Sequence, residues 1–328
     1  MKQRILYLDV TKAIAITLVC IGHSDCLVDL GRSSVLREWI YSFHMPLFML
    51  LCGYFSLHAF SKDFKTFIIS KSKALLVPAI AFSVIELITC FFLGYKDIKA
   101  QAYADAVGGM WFLRTLFMCY VIVYAVKKLP LPDIWLCLLS ITIVLFVPHS
   151  YSLYLNYMLM FFWAGYWLRK YYNKYEQYRG MVTIISLLFF LFCGRHLVAE
   201  PLTYDIIFNR PQLILWQLST GLSGALSSIG VVYYICHSFV ERGKLINWIG
   251  RVGTFTLGIY GVQTIIIARL FPELIQIDAT NYPYWLGDFV ITPIIGILST
   301  IICYYLTAWL SKYKYTNLIL FGGQYFSK

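Results

Sequence analysis

Charge is scarce in this sequence. Only 13% of its 328 residues are Asp, Glu, Lys or Arg, and just 16 are acidic, whereas a soluble globular domain carries about 25% charged residues. That deficit excludes an ordinary water-facing exterior. Nine cysteines are present, but no two are spaced as CxxC, which removes thioredoxin-like redox chemistry and the common zinc frameworks. All except Cys26 fall inside apolar runs, where a free thiol behaves as a small hydrophobe, so no disulfide is expected. The chain lacks a P-loop, HExxH, a GxSxG elbow and GxGxxG, and with them the usual nucleotide, zinc-protease and serine-hydrolase readings. The small-residue stretch from Gly221 to Ser228 reads as a close helix-packing face rather than a phosphate cradle. No metal is expected, and no internal repeat is present. Long polar segments are missing too, so residues 1–328 read as a single transmembrane domain with no appended soluble domain.

Apolar residues are abundant: 60% of the chain is hydrophobic, mean hydropathy is +0.70, and 18% is aromatic, including 26 Tyr and 9 Trp. Such aromatic richness suits two interfacial belts. Runs approaching the roughly 20 residues needed to span a bilayer occur at about 10–28, 38–60, 74–95, 109–126, 133–148, 152–168, 181–198, 212–239, 253–271 and 285–310. The expected fold is therefore an all-α polytopic membrane protein of about ten transmembrane helices. Lys2 and Arg4 precede the first run as in a signal peptide. That run carries Asp9 and Lys12 and lacks a small-residue cleavage site, so it is read as an uncleaved first span.

The net charge of +11 is scattered between apolar runs and forms no patch, so no nucleic-acid partner is expected. Its distribution instead follows a topology rule. With the N-terminus in the cytoplasm, inner segments hold 19 of the 27 basic residues: Lys2, Arg4 and Lys12; Lys62, Lys65, Lys71 and Lys73; Lys127 and Lys128; Arg169, Lys170, Lys174 and Arg179; Arg242, Lys244 and Arg251; Lys312, Lys314 and Lys328. Outer segments hold seven, namely Arg32, Arg37, Lys96, Lys99, Arg195, Arg210 and Arg269, with Arg114 near a helix start. This bias predicts both termini on the cytoplasmic side.

Ionisable residues within spans are costly, by roughly 2.5–3.5 kcal/mol each on insertion scales, and so point to function. Lys12 and His23 are 11 residues apart, about 20° past three full turns and about 16.5 Å along the axis, hence on one face with His23 at the outer end. Asp9, three residues before Lys12, can pair with it on that face. Asp25 would point elsewhere in an unbroken helix. His44, beside Pro46, lies in the outer part of the second span, and Gly109-Met110-Trp111-Phe112-Leu113-Arg114 opens the fourth. Chain direction alone thus brings His23, His44 and Arg114 to one level. Each has a plainer reading as well: His44 as a packed histidine bonded to a carbonyl, Arg114 and Lys12 as side chains snorkelling to the interfaces. Glu86, in the third span, has no assigned partner at this stage. His58, His149, His196 and His237 sit near span ends, where interfacial placement suffices.

At these residues the chain resembles the membrane-bound acyltransferase-3 family, especially its fucose 4-O-acetylase-like members. Lys12 to His23 matches the family's basic residue, ten intervening positions and histidine. Phe43-His44-Met45-Pro46-Leu47-Phe48 followed by Gly53-Tyr54 resembles its second-span motif, Met110-Trp111-Phe112-Leu113 its fourth-span motif, and Leu257-Gly258-Ile259-Tyr260 its late Ile-Tyr motif. Lys12 departs from the commoner arginine, Cys52 from a serine, and Gln263 from a histidine found in many members.

The resemblance implies transfer of an acetyl or other short acyl group from cytoplasmic acyl-CoA, acetyl-CoA foremost, to a carbohydrate hydroxyl of an envelope polysaccharide or its lipid-linked precursor. It also implies a multi-pass protein of a bacterial inner (plasma) membrane, with membrane lipid around it. His23 would be the base or a transient acyl carrier, and both options stay open. Arg114 or His44 would stabilise charge developing on the thioester carbonyl, Lys12 would contact the donor, and Asp9, Asp25, Trp111 and Glu86 would support the site. The rival reading is a transporter or flippase of lipid-linked saccharides; it lacks the matched broken helices in two pseudo-symmetric halves often found in transporters. Oligomeric state is not legible in the chain.

Overall fold

The computed structural model describes residues 5–95, 97, 109–145, 154–193, 203–238 and 243–325. Lys2, Arg4, Lys96, Lys99, His149, Arg195, His196, Arg242 and Lys328 lie outside them, as do the far ends of the runs at 133–148 and 181–198 and the start of 152–168.

Each of the ten apolar runs contains helix. In chain order the helices are α1 (Leu6–His23), α2 (Val35–Tyr54), α3 (Phe64–Lys71), α4 (Val77–Phe92), α5 (Trp111–Val126), α6 (Asp133–Leu145), α7 (Leu155–Lys170) and α8 (Tyr172–Cys193). They continue with α9 (Tyr204–Asn209), α10 (Pro211–Ser238), α11 (Gly243–Gly253), α12 (Thr256–Ile265), α13 (Phe271–Leu274), α14 (Tyr284–Leu286), α15 (Thr292–Leu310) and α16 (Lys314–Phe321). Two two-residue strands, β1 (Val28–Asp29) and β2 (Ile277–Asp278), pair in parallel and tie the loop after α1 to the loop after α13.

Six helical stretches among the described residues are long and apolar enough to cross a membrane: 6–27, 64–92, 172–193, 211–238, 256–274 and 284–310. Three of these are spliced through π-helical turns, at Ser72–Leu76, Ile266–Leu270 and Gly287–Ile291, which join α3 to α4, α12 to α13 and α14 to α15. The helix of the third run therefore begins at Phe64, ten residues before its apolar run at 74.

The second run is also shifted. Its helix begins at Val35, where the Ser34 hydroxyl accepts from the Arg37 N–H at 2.9 Å, and it ends at Tyr54. A side-chain oxygen at this position satisfies one of the free N–H groups of the first turn. Pro46 sits inside α2 and removes the N–H that would bond the Ser42 carbonyl, yet the helix continues because α2 is clamped by its neighbours. Gly53 faces Gly165 of α7 so closely that an added Cβ at Gly53 would lie 2.0 Å from the Phe162 carbonyl oxygen, and one at Gly165 would lie 1.9 Å from that of Leu50. Backbones meet there because neither position carries a side chain.

α1 and α2 form the centre, with α7 and α10 packed on α2, and α11, α12 and α15 packed on α1. α6 and α8 are peripheral: Trp135, Leu138 and Ile143, and Ile184, Leu188 and Phe192, are exposed. Apolar exteriors of this extent belong against lipid rather than water. Lys127 and Lys170 both reach Asp133, and the Tyr124 hydroxyl donates to the Lys62 carbonyl at 3.0 Å, which gathers these inner-segment lysines at one end of the bundle.

Candidate functional site

Three predicted groups stand on different helices at the end of the bundle opposite those lysines. α1 terminates at His23, and a 3-10 turn (Ser24–Leu27) follows. The two helices meet closely at this level, since a Cβ on Gly22 would lie 2.7 Å from the Tyr41 ring. Tyr41 is packed against both imidazoles, with ring centroids 6.4 Å from His23 and 4.9 Å from His44. His44 is buried, and its Nδ1 lies 2.7 Å from the Ile40 carbonyl oxygen. A carbonyl only accepts, so Nδ1 carries a proton; Nε2 then accepts in the neutral ring and donates in the protonated one.

Arg114 lies in the first turn of α5. Its Nη2 donates to the Gly109 carbonyl at 2.7 Å. Met110, between them, has φ of 50° and marks a left-handed turn at the start of α5, a conformation costing a non-glycine residue about 1–2 kcal/mol. Trp111 packs edge-on against Tyr154, with centroids 4.9 Å apart. Tyr260, on α12, joins these elements: Phe112 packs on its ring, the Phe112 N–H is directed at its hydroxyl, and Arg114, Glu86 and Tyr41 are all within electrostatic reach.

Glu86 is paired. Its Oε1 accepts from both Nε and Nη2 of Arg269 at 2.9 Å, with Glu86 itself 5% exposed. Arg269 belongs to the π-helical turn after α12, and the extra residue in that turn shifts its guanidinium relative to an α-helical continuation. Asp25 pairs with Arg37 of α2 at 3.0 Å, and Arg37 lies over the Tyr41 ring at 4.7 Å. The sequence assigned no site role to Tyr41, Arg37 or Arg269, and marked Tyr260 only as part of the late Ile-Tyr motif. Arg37, Tyr41 and His44 were detectable as one face of α2, spaced by four and then three residues.

Lys12 sits apart from these groups. It pairs with Asp9 at 2.6 Å and lies 5.1 Å from the Phe55 ring centroid. It lines a cavity of about 330 Å³ whose wall also includes Lys71, Cys52, Val19, Met45, Leu113, Phe112 and Tyr260. His23, His44 and Arg114 are outside that lining, but Met45 and Leu113 are the chain neighbours of His44 and Arg114, and Val19 lies one turn below His23. The cavity therefore connects a two-lysine end to the foot of the histidine level. A smaller hollow of about 170 Å³, lined by His58, Lys62, Ser70 and Lys71, shares Phe55 and Lys71 with it. His58 also lines a separate groove with Arg169 and His237, away from the His23–His44 pair.

Residues 5–308 match the acyltransferase-3 family, described as an acyltransferase domain. The chain is similar to the nodulation protein NolL of Mesorhizobium japonicum, with 25% identity over 299 residues that cover 84% of this chain and 79% of that protein. No solved structure matches it.

Proposed function

Because the chain belongs to that acyltransferase family, we propose that it moves an acetyl or other short acyl group from cytoplasmic acyl-CoA to a hydroxyl of an envelope polysaccharide or lipid-linked sugar. The protein would work as a single ten-span domain in a bacterial inner membrane. The observation that carries this reading is the cavity leading from Lys12 and Lys71 to Met45, Leu113 and Tyr260. Cationic groups at one end suit the phosphates of CoA, and a mostly apolar wall suits the pantetheine arm that carries the thioester inward.

At the inner end, the acceptor hydroxyl oxygen attacks the thioester carbonyl carbon while its proton passes to the histidine pair. A sugar hydroxyl needs this assistance, and an imidazole provides it near neutral pH. His23 is the leading base or transient acyl carrier. His44 contributes a second lone pair fixed toward the site by its Nδ1–H bond to Ile40. Negative charge building on the carbonyl oxygen is met by Arg114. Collapse of the tetrahedral species breaks the C–S bond, and the thiolate leaves along the cavity and takes up the proton. Asp9 orients Lys12, and the Asp25–Arg37 pair holds Tyr41 between the imidazoles.

The test is purified protein with radiolabelled acetyl-CoA and a lipid-linked or polysaccharide acceptor fraction. Label should appear on the acceptor with wild-type protein and not with His23→Ala. Movement of lipid-linked sugar across vesicles without acyl transfer would replace this reading with a transporter.

A further inference from the structure

Gln263 is fully buried on α12, at 0% exposure, and among the described residues neither its Nε2 nor its Oε1 has a hydrogen-bond partner. Buried amides are nearly always paired, since an unmet donor or acceptor retains its full desolvation cost. Here both ends of one amide are unmet, so a partner of complementary chemistry fits the position.

Its place in the bundle identifies that partner. α1 and the α11–α12 segment run side by side in one direction, fastened at two points. An added Cβ on Gly253 would lie 1.8 Å from the Asp9 carbonyl oxygen, and the Cys26 Sγ, whose nearer acceptor is the His23 carbonyl at 2.9 Å, lies 3.4 Å from the Ile267 carbonyl oxygen. Four residues back from Cys26 is Gly22, and four back from Ile267 is Gln263. Counting back four residues on each side of this contact places Gln263 near the level of Gly22 and His23. Tyr260, one turn below and a neighbour on the same helix surface, lines the inner end of the lysine-lined cavity.

We propose that Gln263 is a substrate-binding residue at the reacting centre, its amide N–H donating to the acyl carbonyl oxygen and its amide oxygen accepting from a hydroxyl of the carbohydrate acceptor. The proposal rests on the acyl-transfer reading above. A side-chain amide can serve both substrates at once because it carries donors and an acceptor on one planar group. It remains neutral, so it holds the two substrates together without competing with the histidines for the proton. Tyr260 marks where the acyl end of the donor arrives, and Gln263 receives it one turn further on.

The test uses full-length protein in lipid nanodiscs with acetyl-CoA and the acceptor fraction. Gln263→Met keeps side-chain length and removes both polar ends. It is expected to lower kcat at least tenfold, to leave the KM for acetyl-CoA within twofold, and to hold or raise the thermal midpoint, because an unmet buried amide has gone. An amide serving only the fold would leave kcat unchanged, and wild-type turnover in Gln263→Met overturns the proposal. If Gln263→Met does not fold, Gln263→Asn decides: its amide is withdrawn by one methylene, a large loss of kcat is expected, and wild-type turnover overturns the proposal again. A wild-type protein that transfers no acetyl group to any hydroxyl acceptor overturns the acyl-transfer reading itself, whereas equal activity of wild type and variant removes only the role of Gln263.

Discussion

The Nδ1 of His44 is held 2.7 Å from the carbonyl oxygen of Ile40, one turn earlier on the same helix. This bond keeps a proton on Nδ1 and fixes the ring, which packs on Tyr41 as His23 does, with centroids 4.9 and 6.4 Å from it. Loss of a positioned base costs about 10²–10⁴-fold in rate. His23→Ala and His44→Ala are each expected to reduce acetyl transfer by at least 10²-fold with normal membrane expression. Near-normal turnover in either variant, measured with radiolabelled acetyl-CoA, would remove that residue from the proton path.

Lys12 and Lys71 line the same cavity from different helices. Lys12→Arg keeps the charge and is expected to retain substantial activity. Lys12→Ala and Lys71→Ala are expected to raise the KM for acetyl-CoA more than they lower kcat, because the proposed function has both meet the donor away from the reacting atoms. An unchanged KM in Lys12→Ala would reduce this lysine to the structural partner of Asp9.

The Glu86–Arg269 pair couples α4 to the π-helical turn that follows α12. Removing one partner of a buried pair leaves an uncompensated charge, at a cost of about 3–5 kcal/mol. Glu86→Leu should therefore lower the thermal midpoint in detergent strongly, and adding Arg269→Leu should recover part of the loss. Equal stability of Glu86→Leu and wild type would show that Arg269 finds water or another partner instead.

At the contact between α2 and α7 there is no room for a side chain. Gly165→Val is expected to abolish folded protein, read as loss of a monodisperse peak in fluorescence-detected size-exclusion chromatography. Flexible surface loops tolerate such a change, so a well-folded Gly165→Val protein would mean that the two backbones are further apart than described.

Cys26 is the exposed member of nine free cysteines. With both termini cytoplasmic, an impermeant thiol reagent added to intact cells should label Cys26 and spare reporter cysteines introduced as Lys2→Cys or Lys328→Cys. Labelling of either reporter would reverse the orientation.

The sequence by itself determined the all-α membrane class of this protein. Apolar runs of helical length and a charge deficit leave helices in lipid as the way to satisfy the backbone, and residue count along a helix converts directly into depth. Lys12 and His23 could therefore be placed on one face of α1 from spacing alone. Rotation and contact between helices were not legible, because they depend on which backbones can approach. Gly53 and Gly165, distant in sequence, decide how α2 meets α7, and Gly253 decides how α11 lies along α1. The partner of Glu86 was equally hidden: Arg269 counted as one more outer charge until a single extra residue in a π turn turned it inward. In the sequence Tyr41 was legible only as a neighbour of His44 on one face of α2, and Gln263 only as a departure from the histidine of the resembled family. Only the packing that seats one between two imidazoles, and leaves the other amide unpartnered at the same level, separates them from the rest.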